Sequence, residues 1–261
     1  MRSQKFVMRY AKNSLVINRE RDIPLLLQVR NSRFISHQQL FEFMQYQGID
    51  HSRSGFNWRT RRLLGSGYLS VCECRSAASS PVYRISKEGL ALLEHGGHFT
   101  TVLHSRTEHL PHVSQIFHAL ELNGIQLRLR RQNLLACWHS DVEVASFNNI
   151  SRSPYQKDYD AVVDVWLGDR RVCFALEYER SLKSARQYER VRQALESEQL
   201  VGCILYLTAG IEILVHLIHE LQPVSTNLAF ANAPDFAELL LDTTVITHRN
   251  LSGVKFREVL Q

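Results

Sequence analysis

In the stretch 159–183, YDAVVDVWLGDRRVCFALEYERSLK, three of the carboxylates stand at strand ends: Asp160 at its start, Glu177 and Glu179 towards its end. Between them lie two apolar runs, 161–167 and 172–178, separated by Gly168-Asp169. That pattern predicts two strands joined by a tight turn. Strand side chains alternate faces, so Glu177 and Glu179 point the same way. A carboxylate on one strand and a pair on its neighbour can share a hard divalent cation such as Mg2+, which takes oxygen ligands and keeps several waters. A metal held by Asp160 and Glu177 would activate water and stabilise charge on a phosphate. The competing reading is an ordinary ion network, with Glu177 and Glu179 neutralised by Arg180, Lys183 or Arg186; such networks also perturb titration.

The elements that would position these acids follow from periodicity. Residues 108–122 read as a helix stopped by Asn123-Gly124, and 134–138 as a short strand. The polar segment 148–157 reads as a loop. After the two acidic strands come a charged helix (184–197), a fully apolar strand (201–207), a helix (211–221), a strand (227–231), a helix (234–241) and a last strand (243–247). From the first helix onwards the order is α-β-β-β-α-β.

The net charge of +5 is uneven. Residues 1–95 carry a balance of +8 and the remainder −3, which predicts two modules, 15–97 and 98–261, with the basic one in front. In the front module, Asp22 and Pro24 open a helix. Ser36-His37-Gln38-Gln39 forms a capping box for a second, which Gly48 ends. A third runs from Ser52 to Leu64, and a hairpin with a Ser/Ala-rich tip and a closing helix from Lys87 follow. Three helices and a hairpin make the winged helix-turn-helix order, in which the third helix enters the DNA major groove. On that helix Phe56, Thr60, Leu63 and Leu64 are candidates for the core. Arg53, Asn57 and Arg61 line another face and suit guanine and adenine edges, while Arg59 and Arg62 suit phosphates. Double-stranded DNA is the partner this predicts; the alternative is a basic helix in a protein-binding winged helix.

The order of elements, with an acid on one strand and paired acids ending the next, resembles the PD-(D/E)XK nuclease-like fold. With the winged helix in front, Tyr-Asp-Ala at 159–161 and Leu-Glu-Tyr-Glu-Arg at 176–180, the chain from about Asp22 to Leu207 resembles the replication-relaxation family of plasmids and mobile elements. That family carries a similar pair of signatures, Pro-Asp-Ala and Glu-x-Asp-Arg. The resemblance implies an α/β chain (α+β overall), a winged helix followed by a PD-(D/E)XK-like mixed sheet. It implies DNA binding in the replication, mobilisation or maintenance of a mobile element. Asp160 and Glu177 take the places of the Asp and Glu of the two signatures. Glu179 stands where a nuclease of this fold has Lys, and a third carboxylate adds repulsion that only a cation or a proton relieves. Lys183, Arg180, Arg186 or Arg190 is the candidate replacement cation, and Glu143, Glu108 or Glu121 a candidate extra acid. Three functions remain open on these residues. One is a DNA-binding accessory protein at a replication, mobilisation or transposition complex. Another is a Mg2+-dependent deoxyribonuclease with Asp160, Glu177, Glu179 and Lys183 as its catalytic set. The third is a protein-binding adaptor.

Other clusters are weaker. Cys72 and Cys74 with His95 and His98 are a poor zinc set, because one intervening residue is short of the usual spacing. His109, His112 and His118, on or beside one helix, lack an acid or cysteine to complete a ligand set and read as surface or packing residues. GxGxxG, P-loop and GxSxG patterns are absent, which removes support for nucleotide-driven or serine-hydrolase chemistry. No apolar run reaches the roughly 18 residues of a membrane span. The N-terminus lacks a signal-peptide core. The five cysteines are odd in number, and three lie in strand-like runs, as free thiols of a reducing compartment do. A cytoplasmic protein, dimeric if its DNA site is palindromic, is the expectation.

Overall fold

Several helix starts in this chain are set by serines. Ser36, Ser52, Ser86 and Ser184 each accept from a backbone N–H of the first turn, satisfying a donor that the helix leaves free. The Ser36 cap is reciprocal, because Gln39 bonds back to the Ser36 N–H. The structure is a computed structural model that describes residues 16–72, 80–101, 112–248 and 250–261.

The front of the chain runs α1 (Asp22–Ser32), β1 (Ile35–Ser36), α2 (His37–Tyr46), α3 (Arg53–Gly65), β2 (Leu69–Cys72), β3 (Val82–Ile85) and α4 (Lys87–His95). The strands form a sheet in the order β1-β3-β2, with both pairs antiparallel. The three helices, the hairpin and the closing helix are present in the order the sequence predicts; the tip of the hairpin, 73–79, lies outside the described residues. Leu25, Leu26, Phe43, Phe56 and Leu63 fill the core between the helices. Leu127 and Val142, from beyond residue 97, complete that same core.

The rest of the chain runs α5 (Val113–Arg131), β4 (Leu135–Ser140), α6 (Asp141–Ile150), β5 (Ala161–Leu167), β6 (Arg170–Glu179), α7 (Ala185–Glu196) and β7 (Ile204–Thr208). It continues with α8 (Ile211–Leu221), β8 (Leu228–Asn232), α9 (Ala233–Leu239), β9 (Thr244–Thr247), β10 (Asn250–Lys255) and α10 (Phe256–Val259). One mixed sheet of seven strands results, ordered β10-β9-β8-β7-β6-β5-β4, with β6, β7 and β8 parallel and the flanking pairs antiparallel. Alternation sends Ala161, Val163, Phe174 and Leu176 to a face covered by α5, α9 and α10. Val162, Ala175, Ile204 and Tyr206 go to the face covered by α6, α7 and α8. The chain is therefore mixed α/β, with a layer of helices on each side of the sheet.

The sequence reading omits β1, β10 and α10, taking 243–247 as the last strand, and two further helices depart from it. Asn123-Gly124 does not stop α5, which runs on to Arg131. Ile125, Leu127 and Leu129 continue its apolar pattern and are buried, and Asn123 spends its side-chain amide on the carbonyl of Phe34, 2.8 Å away. Helix α6 was not expected at all; Glu143, a candidate metal ligand, instead closes its capping box on Ser140.

α3 is held from below by charge as well as by apolar packing. Arg59 is 4% exposed and pairs with both Asp22 and Asp50, at 3.1 Å each. Asp22 also receives Arg62 and the N–H of Asn18. Arg59 is thus a core residue, correcting its assignment to phosphate contact: its position on the helix points it at two buried acids. Arg59→Ala leaves those acids without their shared partner and is expected to cost about 3–5 kcal/mol. Urea unfolding at low and high salt checks this, and the loss persists at high salt because the pair is shielded from solvent ions.

Candidate functional site

The antiparallel register of β5 and β6 sets Ala161 opposite Leu176, which brings Asp160, the residue before β5, opposite Glu177. Asp160 is fixed there by two hydrogen bonds. Its Oδ2 accepts from the Tyr178 N–H at 2.8 Å, and its Oδ1 from His118 Nε2 at 3.0 Å. His118 stands on α5 with its ring stacked on that of Tyr178, centroids 5.5 Å apart. Glu177 and Glu179 share a face of β6, as alternation requires, and are 4% and 7% exposed. Each is neutralised by a lysine: Lys157 pairs with Glu177, and Lys183 with Glu179. The predicted set of Asp160, Glu177, Glu179 and Lys183 is therefore brought together.

The site lies at the carboxyl ends of the parallel strands β6 and β7, where Glu177 is level with Tyr206 and Glu179 with Thr208. Ligands of open α/β sheets bind at such ends. Burial pushes the Glu177 carboxyl up; Lys157 opposes this and Asp160 adds to it. Burial also works against ionised Asp160, but the His118 hydrogen bond and charge, the Tyr178 N–H and Lys157 together hold its pKa below the usual value. Burial lowers His118, and Asp160 more than offsets it, so the imidazole ends above its ordinary value. Lys183 is pulled down, first by burial and then by Lys157. Asp160 is thus the ionised member of the carboxylate pair and Glu177 the one readier to take a proton.

Two polar atoms at the site lack a partner. Glu177 Oε1 and the Tyr206 hydroxyl, on adjacent strands, are buried without a hydrogen bond. An orphaned carboxylate oxygen in a set of oxygen donors fits a hard cation, which binds through one or two carboxylates and completes its shell with water and phosphate oxygens. Asp160 and Glu177 would hold it, and bound there it would supply a polarised water and positive charge for a phosphate.

Sequence reasoning missed Lys157, His118 and Tyr206. Lys157 ends a segment read only as a loop, and no local pattern ties it to a strand 20 residues on. The reading of His118 as a surface or packing residue is corrected: Asp160, 42 residues away, completes its pair. Several candidates fall outside the site. Arg180 pairs with Glu121 at 2.9 Å, and Arg186 and Arg190 are solvent-exposed on α7. Glu143 caps α6, and Glu108, Cys74 and His109 lie outside the described residues. His112 is the N-cap of α5, and His95 Nδ1 lies 2.7 Å from the Ala91 carbonyl.

The face of α3 turned away from the core presents Ser54, Trp58, Arg61 and Gly65, with Arg53 and Asn57 beside them. Trp58 is 63% exposed, and the Arg62 guanidinium lies over its ring at 5.0 Å. Because Arg62 also pairs with Asp22, it is half-committed to the core. Arg53 lies over Phe41 and bonds to Gln38. Asn57 Oδ1 is 2.9 Å from His37 Nε2, and His37 Nδ1 is 2.8 Å from the Tyr83 hydroxyl. Burial lowers the His37 pKa, so the neutral ring donates to Asn57 and accepts from Tyr83. With its oxygen engaged, Asn57 keeps only its amide N–H group for a base, a donor for a purine N7 and not the bidentate grip on adenine that a free Asn would give.

No family model matches the chain. No curated protein matches it. Among solved structures it is similar to the restriction endonuclease FokI bound to DNA, with 12% identity and a TM-score of 0.24. That alignment covers 83% of this chain and 43% of the other, so the chain spans less than half of that structure's length. A superposition this loose carries no argument about activity. Among the described residues no helix is long and apolar enough to cross a membrane.

The Asp160–His118 pair has a signed consequence. A raised histidine pKa adds stability that is fully present below the unfolded value of about 6.5 and is lost as pH rises through the folded value. His118 is expected to titrate above its ordinary value by NMR, and Asp160→Asn to lower that titration, because burial is then opposed only by the charges of Asp141 and Glu177. A His118 titration unmoved by Asp160→Asn would refute the pairing.

Proposed function

We propose that the protein binds double-stranded DNA through α3 and the β2–β3 wing, and that its second module, 98–261, hydrolyses a phosphodiester at the Asp160–Glu177 site with Mg2+. The single observation that carries the reading is the unpartnered Glu177 Oε1, buried beside Asp160 and between two lysines. Burying an unsatisfied carboxylate oxygen costs stability, and such costs collect where a ligand is meant to bind. Formally, three carboxylates meet two ammonium groups and a histidine, so the site is near neutral with His118 protonated. A divalent ion would turn it positive towards a phosphate. Asp160 and Glu177 then act as ligands, Lys157 or Lys183 holds charge on the phosphate, and His118 keeps Asp160 ionised and oriented.

The front module, 15–97, would set the address. Arg61, Trp58 and the amide N–H group of Asn57 are free to meet a groove. Work on the DNA of a plasmid or mobile element, in the cytoplasm and within a replication, mobilisation or transposition complex, is the setting that the replication-relaxation resemblance suggests. A second reading, a DNA-binding accessory protein that does not cut, is favoured by one observation. Both oxygens of Asp160 and one of Glu177 are already engaged by protein donors.

The test separates binding from cutting. Arg53→Ala with Arg61→Ala is expected to weaken duplex binding by about 10-fold or more and to flatten its salt dependence. Supercoiled and linear DNA with Mg2+ or Mn2+ are expected to be nicked or cut, with Asp160→Ala and Glu177→Ala reduced to background. Lys157→Met should slow cleavage by about 100-fold or more, the usual cost of losing a group that stabilises developing charge. Duplex binding without metal-dependent cleavage would leave the accessory reading and remove the hydrolytic one.

A further inference from the structure

The same sheet face carries a second constellation, near its β4 edge. Cys137 and His139 are two residues apart on β4, so both side chains leave the strand on one side. Asp164 is the cross-strand partner of Cys137 on β5, and Cys173 is the partner of Asp164 on β6. One sulfur, one imidazole nitrogen and one carboxylate oxygen, from Cys137, His139 and Asp164, lie within 4.8 Å of one another. The Cys137 Sγ to His139 Nε2 distance is 3.4 Å.

We propose that Cys137, His139 and Asp164 form a Zn2+-class site that clips edge strand β4 to β5. Tetrahedral zinc with bonds of 2.0–2.3 Å sets its ligand atoms about 3.3–3.8 Å apart, and the sulfur–imidazole distance already falls in that range. The donor set is the argument for the metal. Thiolate and imidazole select zinc-like ions over Mg2+, which prefers oxygen ligands alone. This site is therefore chemically distinct from the all-oxygen pair of Asp160 and Glu177, and independent of it.

The surroundings fit. Arg171 pairs with one oxygen of Asp164 and leaves the other for an ion. Cys173 stands directly opposite Asp164 on β6 and packs beside that carboxylate on the same face. Asp164 is 8% exposed, Cys137 half-buried and His139 exposed, so an ion can enter from the β4 side. On binding, Cys137 gives its thiol proton to solvent as the sulfur–metal bond forms, and the fourth corner is left to water. An edge strand is the weakest part of a sheet, and an ion joining β4 to β5 would pin it.

The experiment uses the full chain, freed of metal, titrated with Co2+ and then with Zn2+ against a chromophoric chelator. One Co2+ per chain should bring a thiolate-to-cobalt charge-transfer band, which Zn2+ abolishes and excess Mg2+ does not. Cys137→Ser should remove the band. His139→Ala, on an exposed side chain that folding does not need, should weaken binding by more than about 100-fold. Cys173→Ala, which removes only a neighbour of Asp164, should keep the band. The double variant Cys72→Ser, Cys74→Ser should keep the band. The proposal is overturned if the wild type shows no band, if Cys137→Ser retains it, or if the band follows Cys72 and Cys74 instead.

Discussion

Glu177 and Glu179 are carried into the interior by the strand that also supplies Phe174 and Leu176 to the core. Burying two carboxylates side by side is affordable only if each is met by a cation at hydrogen-bond range, because desolvation costs several kcal/mol per ion. Lys157 and Lys183 meet them. The third acid, Asp160, is held by a different device, a backbone N–H and a histidine from another helix. This arrangement constrains the segments around it. The loop before β5 must return Lys157 to the sheet, the segment after β6 must turn Lys183 back onto Glu179, and α5 must place His118 over Tyr178.

α5 is consequently shared by the two parts of the chain. One of its faces gives Leu122, Ile125 and Leu129 to the sheet, while Leu127 enters the core of the front unit. Side-chain bonds cross the same junction: Gln39 to the Leu120 carbonyl at 2.7 Å, Asn123 to Phe34, and Arg131 with Glu42. Arg33, in the front unit, pairs with Asp141 at the start of α6. Asp141 is pushed up to about 6 by burial, against the pull of Arg33 and with Asp160 adding to it. Charge on the front unit therefore reaches the acid cluster through one intervening carboxylate, over a junction made of specific bonds and not of apolar contact alone.

The parts of this fold that the sequence disclosed are those written locally. The Ser36 capping box, the Gly168 turn at positive φ and the apolar runs of β5, β6 and β7 needed no partner to be read. α8, bounded by Gly210 and Leu221, was equally plain. Non-local choices were hidden. Asn123-Gly124 looks like a stop signal, yet tertiary packing overrides propensity once Ile125 and Leu129 have a sheet to cover. Arg59 looks like its neighbours Arg61 and Arg62 until Asp22 and Asp50, 37 and 9 residues away, are seen beneath it. In the site, the acids were legible because strand alternation places them. Lys157 and His118 were not, because a loop lysine and a helix histidine carry no period that links them to a strand end.

Glu179 shows how a buried acid at a strand end can be balanced from outside the strand. Taken alone, its carboxylate adds repulsion next to Glu177. Lys183 is four residues on and turns back to pair with it, so the balancing charge comes from the following segment. Lys157 brings a second ammonium from the other side of Glu177. Cations from flanking loops thus balance acids that the strand itself carries. The arrangement demands that both loops stay ordered, because an unpaired carboxylate in this position would have to take a proton, and Glu177, already pushed upward by burial, is the one that would. Charge balance at the sheet end thus depends on two segments that contribute nothing to the sheet's hydrogen bonding, which is why order in those segments and ionisation of the acids must rise and fall together.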